Sequence, residues 1–141
     1  MYEIIPGKLA SHGIGDNYLV QPKDEARHGD HITLNNREWR IVDARTISDE
    51  GTSPVRDYAY LIDIGEGLLE WIHTYELDMG VVVCCGAGQS RSNAIAIGIL
   101  VEHFKMDFYD AYELIREKVP IQWILPDHIT KLKKLFNVTV P

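Results

Sequence analysis

Val81-Val82-Val83-Cys84-Cys85-Gly86-Ala87-Gly88-Gln89-Ser90-Arg91-Ser92-Asn93 is the stretch whose reading decides the fold. Residues 81–84 are β-branched or small and apolar, the composition of a strand buried on both faces. From Asn93 to Lys105 the chain reads as a helix in which Ala94, Ile95, Ala96, Ile97, Ile99, Leu100, Val101 and Phe104 leave almost no polar face. Such a helix is buried on most sides. Between the two lies a short loop with glycines at 86 and 88. A strand, a glycine loop and a helix N-terminus in succession form an anion site, because backbone N–H groups and the positive end of the helix dipole converge on one point.

Cys85 opens that loop and Arg91 closes it, with five residues between. Converging amides, the helix N-terminus and a guanidinium all favour a thiolate at Cys85. Arg91 offers a planar fork that grips two phosphate oxygens. Gly86 and Gly88 let the backbone turn without Cβ clashes. The hydroxyl of Ser92 is placed to donate to the sulfur. An ordinary strand-to-helix turn with a buried cysteine needs none of these companions, so the set reads as a catalytic site.

Cys85-x5-Arg91-Ser92 resembles the phosphate loop of cysteine-based protein tyrosine phosphatases, in their small dual-specificity-like form. The resemblance is specific over residues 81–101 and diffuse over about 40–137. One position departs from the pattern: the family usually carries histidine before the nucleophile, where it helps to hold the loop, and here Cys84 stands there. The resemblance implies an α/β fold with a small central mixed sheet and helices on both faces, one phosphatase-like domain over residues 1–141. It implies hydrolysis of phosphomonoesters through a cysteinyl-phosphate, with no metal or organic cofactor. Cys85 would be the nucleophile and Arg91 the phosphate binder. The backbone of Gly86, Ala87, Gly88, Gln89 and Ser90 would hold the phosphate oxygens, and Ser92 would assist the sulfur. Phosphorylated proteins or peptides are the implied substrates. RNA 5′-triphosphatases, phosphoinositide phosphatases and a catalytically weak phosphate-binding module share the fold and remain as alternatives.

An aspartate must protonate the departing oxygen and later activate water. Asp49, in the loop where the family's acid is expected, is the first candidate, and Asp57 at the far end of that loop is the second. Asp57 has a competing role as N-cap of the following helix. Asp63 qualifies only if residues 58–64 form a strand.

With 14 Lys and Arg against 21 Asp and Glu, the net charge is −7. Nucleic-acid binders present a basic face, and this chain lacks the charge for one. Lys131, Lys133 and Lys134 form its one basic cluster, a solvated helix face. No apolar run reaches the ~18 residues that a membrane-spanning helix requires, and residues 1–4 do not begin a signal peptide. Two adjacent cysteines form no disulfide framework, so a reduced, cytoplasmic and monomeric protein is expected.

Elsewhere, residues 4–9 predict a short edge strand interrupted by a turn at Pro6-Gly7, and Tyr18-Leu19-Val20 another short strand. Gln21 to Asp30 reads as surface loop or one helical turn. His28 and His31 read as surface histidines, not metal ligands. Residues 31–34 and 37–42 predict a hairpin turning at Asn35-Asn36. Residues 43–56, rich in Asp, Ser, Thr, Gly and Pro, form a functional loop. Helical spacing follows from 57 to 77, weakened at Gly65 and Gly67, with a strand at 58–64 and a shorter helix as the alternative. Asp107 caps a helix to Lys118, and Pro126-Asp127 opens the last one, to Phe136.

Overall fold

The computed structural model describes residues 1–15 and 27–139; the strand expected at Tyr18-Leu19-Val20 and most of the loop expected at 21–30 lie outside them. The elements are β1 (Tyr2–Ile5), β2 (Leu9–Gly13), β3 (His31–Leu34), β4 (Arg37–Asp43), α1 (Val55–Thr74), β5 (Gly80–Cys85), α2 (Arg91–Glu102), α3 (Phe108–Lys118) and α4 (Pro126–Leu135). Five strands form one sheet in the order β1-β2-β5-β4-β3. β5 runs parallel to both its neighbours, and the outer pairs are antiparallel. A central strand needs two apolar faces, and every residue of β5 is buried.

Side chains alternate along β5 and divide the interior in two. Val81, Val83 and Cys85 join the larger core, to which all four helices contribute. Val82 and Cys84 face the other way, with Ala10, Trp39 and Ile41. The expected distribution of helices on both faces is therefore corrected for the described residues. Among the described residues only α1 crosses between two strands of the sheet. The other three follow the last strand; α2 is buried on nearly every side, and α1, α3 and α4 pack around it, which gathers the helices on the face that α2 occupies.

The edge strand and its turn are present: β1 ends at Ile5, and Gly7 adopts φ +72°. β2 was not anticipated. Leu9-Ala10-Ser11-His12-Gly13 has little β-propensity, and its strand form comes from pairing with β1 and β5. The hairpin turns at Asn35 and Asn36, both with positive φ. The long helix prevails over the strand alternative, but its N-cap is Pro54, so Asp57 lies in the first turn and is not the cap. Asp107 caps α3 by accepting from Tyr109 N and Asp110 N. Among the described residues no helix is long and apolar enough to cross a membrane.

Gly65 has a packing role that its low helix propensity concealed. A Cβ there would strike Ile99 of α2, and a Cβ on Gly98 of α2 would strike Ile62 of α1. Each helix thus offers a glycine notch to an isoleucine of the other, and both isoleucines are buried. Gly67 is exposed with open space around it. We expect Gly98→Ala to lower stability in denaturant titration by about 1–3 kcal/mol through overpacking. Gly67→Ala should instead raise it, by up to about 1 kcal/mol.

Candidate active site

Cys85 ends β5, 2% exposed, and α2 begins at Arg91. The loop between them is held from outside through its carbonyls. Cys85 O accepts from Ile14 N and Gly86 O from Gly15 N, both at 2.9 Å. Asn93 Nδ2 donates to Gly88 O at 3.0 Å and to Gln89 O at 2.9 Å. Trp123 N also donates to Gln89 O, and Ala94 N to Ser90 O. In a trans peptide the N–H lies opposite the C=O, so each carbonyl turned outward turns the next amide inward. The amides of Gly86, Ala87, Gln89, Ser90 and Arg91 are thereby directed to the concave side. Gly88 has φ +74°, and a Cβ on it would lie 2.8 Å from the backbone N of Gly13. Glycine is required there by conformation and by space.

Arg91 bridges this loop and the segment after β4. Its Nη1 lies 3.5 Å from Arg45 O and 3.4 Å from Ile47 O, and its Nε lies 3.3 Å from Asp49 Oδ1. The Asp49 carboxylate is 70% exposed. Its loop is organised around Ser48, whose N–H donates to Ser53 Oγ and whose Oγ accepts from Glu50 N. Gly51, at φ +76°, packs so tightly on Asp127 that no side chain fits between them. Asp49 is in this way suspended between Arg91 and the start of α4.

These groups meet in a cleft of about 470 Å³ lined by Asp49, Glu50, Cys85, Ala87, Gln89, Ser90, Arg91, Trp123, Leu125 and Asp127. The structure brings Asp49 into the cleft; Asp57 and Asp63 lie on α1 and are not among the lining residues. Glu50 and Asp127 add two carboxylates that the sequence had not suggested. Arg91 is the one cation among the described lining residues. Arg45 is committed to Asp43, through Nε at 2.9 Å and Nη2 at 2.7 Å. Ser92 Oγ lies 2.9 Å from Ser11 Oγ, both buried. When Ser11 donates to it, Ser92 keeps its own proton for the sulfur.

Cys84 does not take the place of a loop-holding histidine. It sits on the opposite face of the sheet, and burial pushes its thiol up to about 12, with Asp43 next in effect. His31 is exposed as expected, but His28 is half-buried and its Nδ1 accepts from Asp43 N at 3.1 Å. Glu66, Glu70 and His103 have metal-binding spacing, their ligand atoms within 4.8 Å of one another, and none of them lines the cleft.

Sequence reasoning missed Asn93, which holds the loop, Ser11, which meets Ser92, and His128. The last is fully buried at the start of α4, with Tyr58 Oη 2.5 Å from its Nδ1. Burial, with Asp127 and Asp57 nearby, pushes the Tyr58 phenol up to about 12, so it stays protonated and donates. The neutral ring then carries its proton on Nε2. Asp49 acts on the ring through both its charge and its backbone, although Nε2 makes no well-formed hydrogen bond. A signal existed in Pro126-Asp127-His128, a histidine in the first turn of an amphipathic helix, but nothing local tied it to Asp49.

The fold is that of the cysteine-based phosphatases of dual-specificity type, and the cleft lies where Cys85, Arg91 and the helix N-terminus meet. Human DUSP28 superposes with a TM-score of 0.64 and 13% identity, over 95% of this chain and 94% of its own. The human tyrosine phosphatase-like serine/threonine/tyrosine-interacting protein gives 0.63 and 19%, over 98% and 96%. PTPMT1 gives 0.59 and 17%, over 97% and 94%. No family model matches the sequence, nor does any curated protein. At these identities the likeness carries the fold, and activity has to be argued from the site.

Burial lowers the pKa of His128 below 6.5, assisted by Arg91 and opposed by Asp49 and Asp127. Below 6.5 the unfolded chain takes up a proton that the folded chain refuses, so stability falls as pH drops through that value. His12 and His28 shift the same way, also through burial. Denaturant titrations across this range should show that His128→Gln removes its share of the slope and leaves the rest.

Proposed function

We propose that the protein is a cysteine-dependent phosphomonoesterase acting on phosphotyrosine, and on phosphoserine or phosphothreonine, in protein or peptide substrates. The observation that carries this is the meeting of a deeply set cysteine, an arginine and a carboxylate in one cleft whose floor is a ring of inward amides. Preorganised donors at the point where charge develops are the largest source of catalysis in such a site.

In this mechanism the Cys85 thiolate attacks phosphorus and the ester oxygen departs with a proton from Asp49. Arg91 and the loop amides hold the phosphoryl oxygens throughout. Asp49, now a carboxylate, takes a proton from water as the water oxygen attacks phosphorus and the S–P bond breaks. Inorganic phosphate leaves and Asp49 is again protonated. The 3.3 Å contact between Asp49 and Arg91 means that an arriving phosphate dianion competes with the carboxylate for the guanidinium.

A phosphate-binding module without turnover is the second reading, favoured by Cys84 standing where a histidine is expected and facing away from the loop. Hydrolysis of an aryl phosphate separates the two. Cys85→Ser should abolish turnover while phosphate or tungstate still binds, and Arg91→Lys should lower turnover by orders of magnitude. Appreciable hydrolysis by Cys85→Ser would exclude the covalent route. Asp49→Asn should flatten the basic limb of the pH–rate profile and slow a poor leaving group far more than an activated one. If Asp57→Asn does this instead, the acid is misassigned.

Glu50 and Asp127 in the cleft, with Arg91 its one described cation, suit a single phosphate better than a polyanionic headgroup. A structure of PTPMT1 in complex with PI(5)P makes the comparison pertinent. A phosphotyrosine peptide should be hydrolysed clearly faster than a soluble trisphosphorylated inositol lipid. The reverse preference would place the basic determinants outside the phosphate loop.

A further inference from the structure

We propose that Trp123 is the specificity-determining residue of the cleft, an apolar wall that receives the aromatic ring of an aryl phosphoester. The wall bears on turnover only if Cys85 receives a phosphoester, so this assignment rests on the function proposed above. Trp39 is fully buried, whereas Trp123 is 64% exposed and belongs to neither buried cluster. Trp123 lines the same cleft as Cys85 and Arg91.

Two hydrogen bonds fix its position relative to the phosphate site. Trp123 N donates to Gln89 O at 2.9 Å, and Leu125 N donates to Ser90 Oγ at 3.0 Å. The connector between α3 and α4 is thus sewn to the phosphate loop on both sides of Ile124, which is buried. Asp49, Glu50 and Asp127 also line the cleft, so it has acidic as well as apolar lining.

An alkyl phosphoester such as phosphothreonine has no π-face to set against an indole, whereas the ring of phosphotyrosine does. Offset or edge-to-face aromatic contacts add a gain beyond simple burial. Because that gain is made in the bound ground state and kept in the transition state, it appears in KM and not in kcat.

The experiment compares a phosphotyrosine and a phosphothreonine peptide of identical flanking sequence. Turnover is measured with the otherwise unaltered protein, and binding by calorimetry with Cys85→Ser. Trp123→Ala should raise KM for the phosphotyrosine peptide about tenfold, with kcat within about twofold and the phosphothreonine peptide little changed. Trp123→Phe should retain most of the preference. In the Cys85→Ser background the dissociation constant should move by the same factor. Equal losses on both peptides, no loss on either, or a trap without aryl preference would overturn the assignment. Binding that keeps a Trp123-dependent aryl preference, in a protein that hydrolyses neither peptide, would overturn the phosphatase reading and leave the wall standing.

Discussion

The constraint on which the site depends is the outward pull on the loop carbonyls. A protein of net charge −7 cannot attract a phosphate by its overall field. It must gather positive potential locally, and peptide dipoles do this without adding a cation. They do so only if each peptide plane is held in the right sense. Ile14, Gly15, Asn93 and Trp123 supply the holding bonds, and they come from three separate places in the fold: the end of β2, α2 and the connector before α4. Arg91 then adds the one cation among the described residues that line the cleft.

The same economy shapes the helices. α2 must point its N-terminus at the loop while almost wholly enclosed, which leaves little freedom in how its neighbours approach. The reciprocal notches at Gly65 and Gly98 draw α1 and α2 together, and α1 is the element through which the loop of Asp49 returns to the sheet.

Residues 81–105 announced strand, loop and helix because three signals coincide there: β-branched residues, glycines and an unbroken apolar run. The hairpin at Asn35-Asn36 and the cap at Asp107 were legible for similar local reasons. β2 was not, since Leu9 to Gly13 takes its form from β1 and β5 and not from its own propensity. Helices on both faces were expected from the resemblance to the family, and the enclosure of α2 by α1, α3 and α4 gathers the four on one. At the site, Cys85 and Arg91 stood out by spacing. Ser11, Asn93 and His128 did not, because their roles exist only once distant segments meet; Tyr58 and His128 are 70 residues apart. Asp49 ranked first of three aspartates by its place in the loop, but its contact with Arg91 is visible only in space.

The support given to the loop by β2 has a consequence for how the protein matures. β5 and α2 to α4 are contiguous in the chain, and their packing closes short loops. The bonds from Ile14 and Gly15, and the Ser11–Ser92 contact across 81 residues, require the N-terminal segment to meet the middle of the chain. Non-local closure of this kind is entropically costly and slow relative to local packing. A folding chain can therefore bury much of its core before the loop acquires its outer support. Compaction and completion of the loop are separable events, and the second waits on β2 and the residues that follow it.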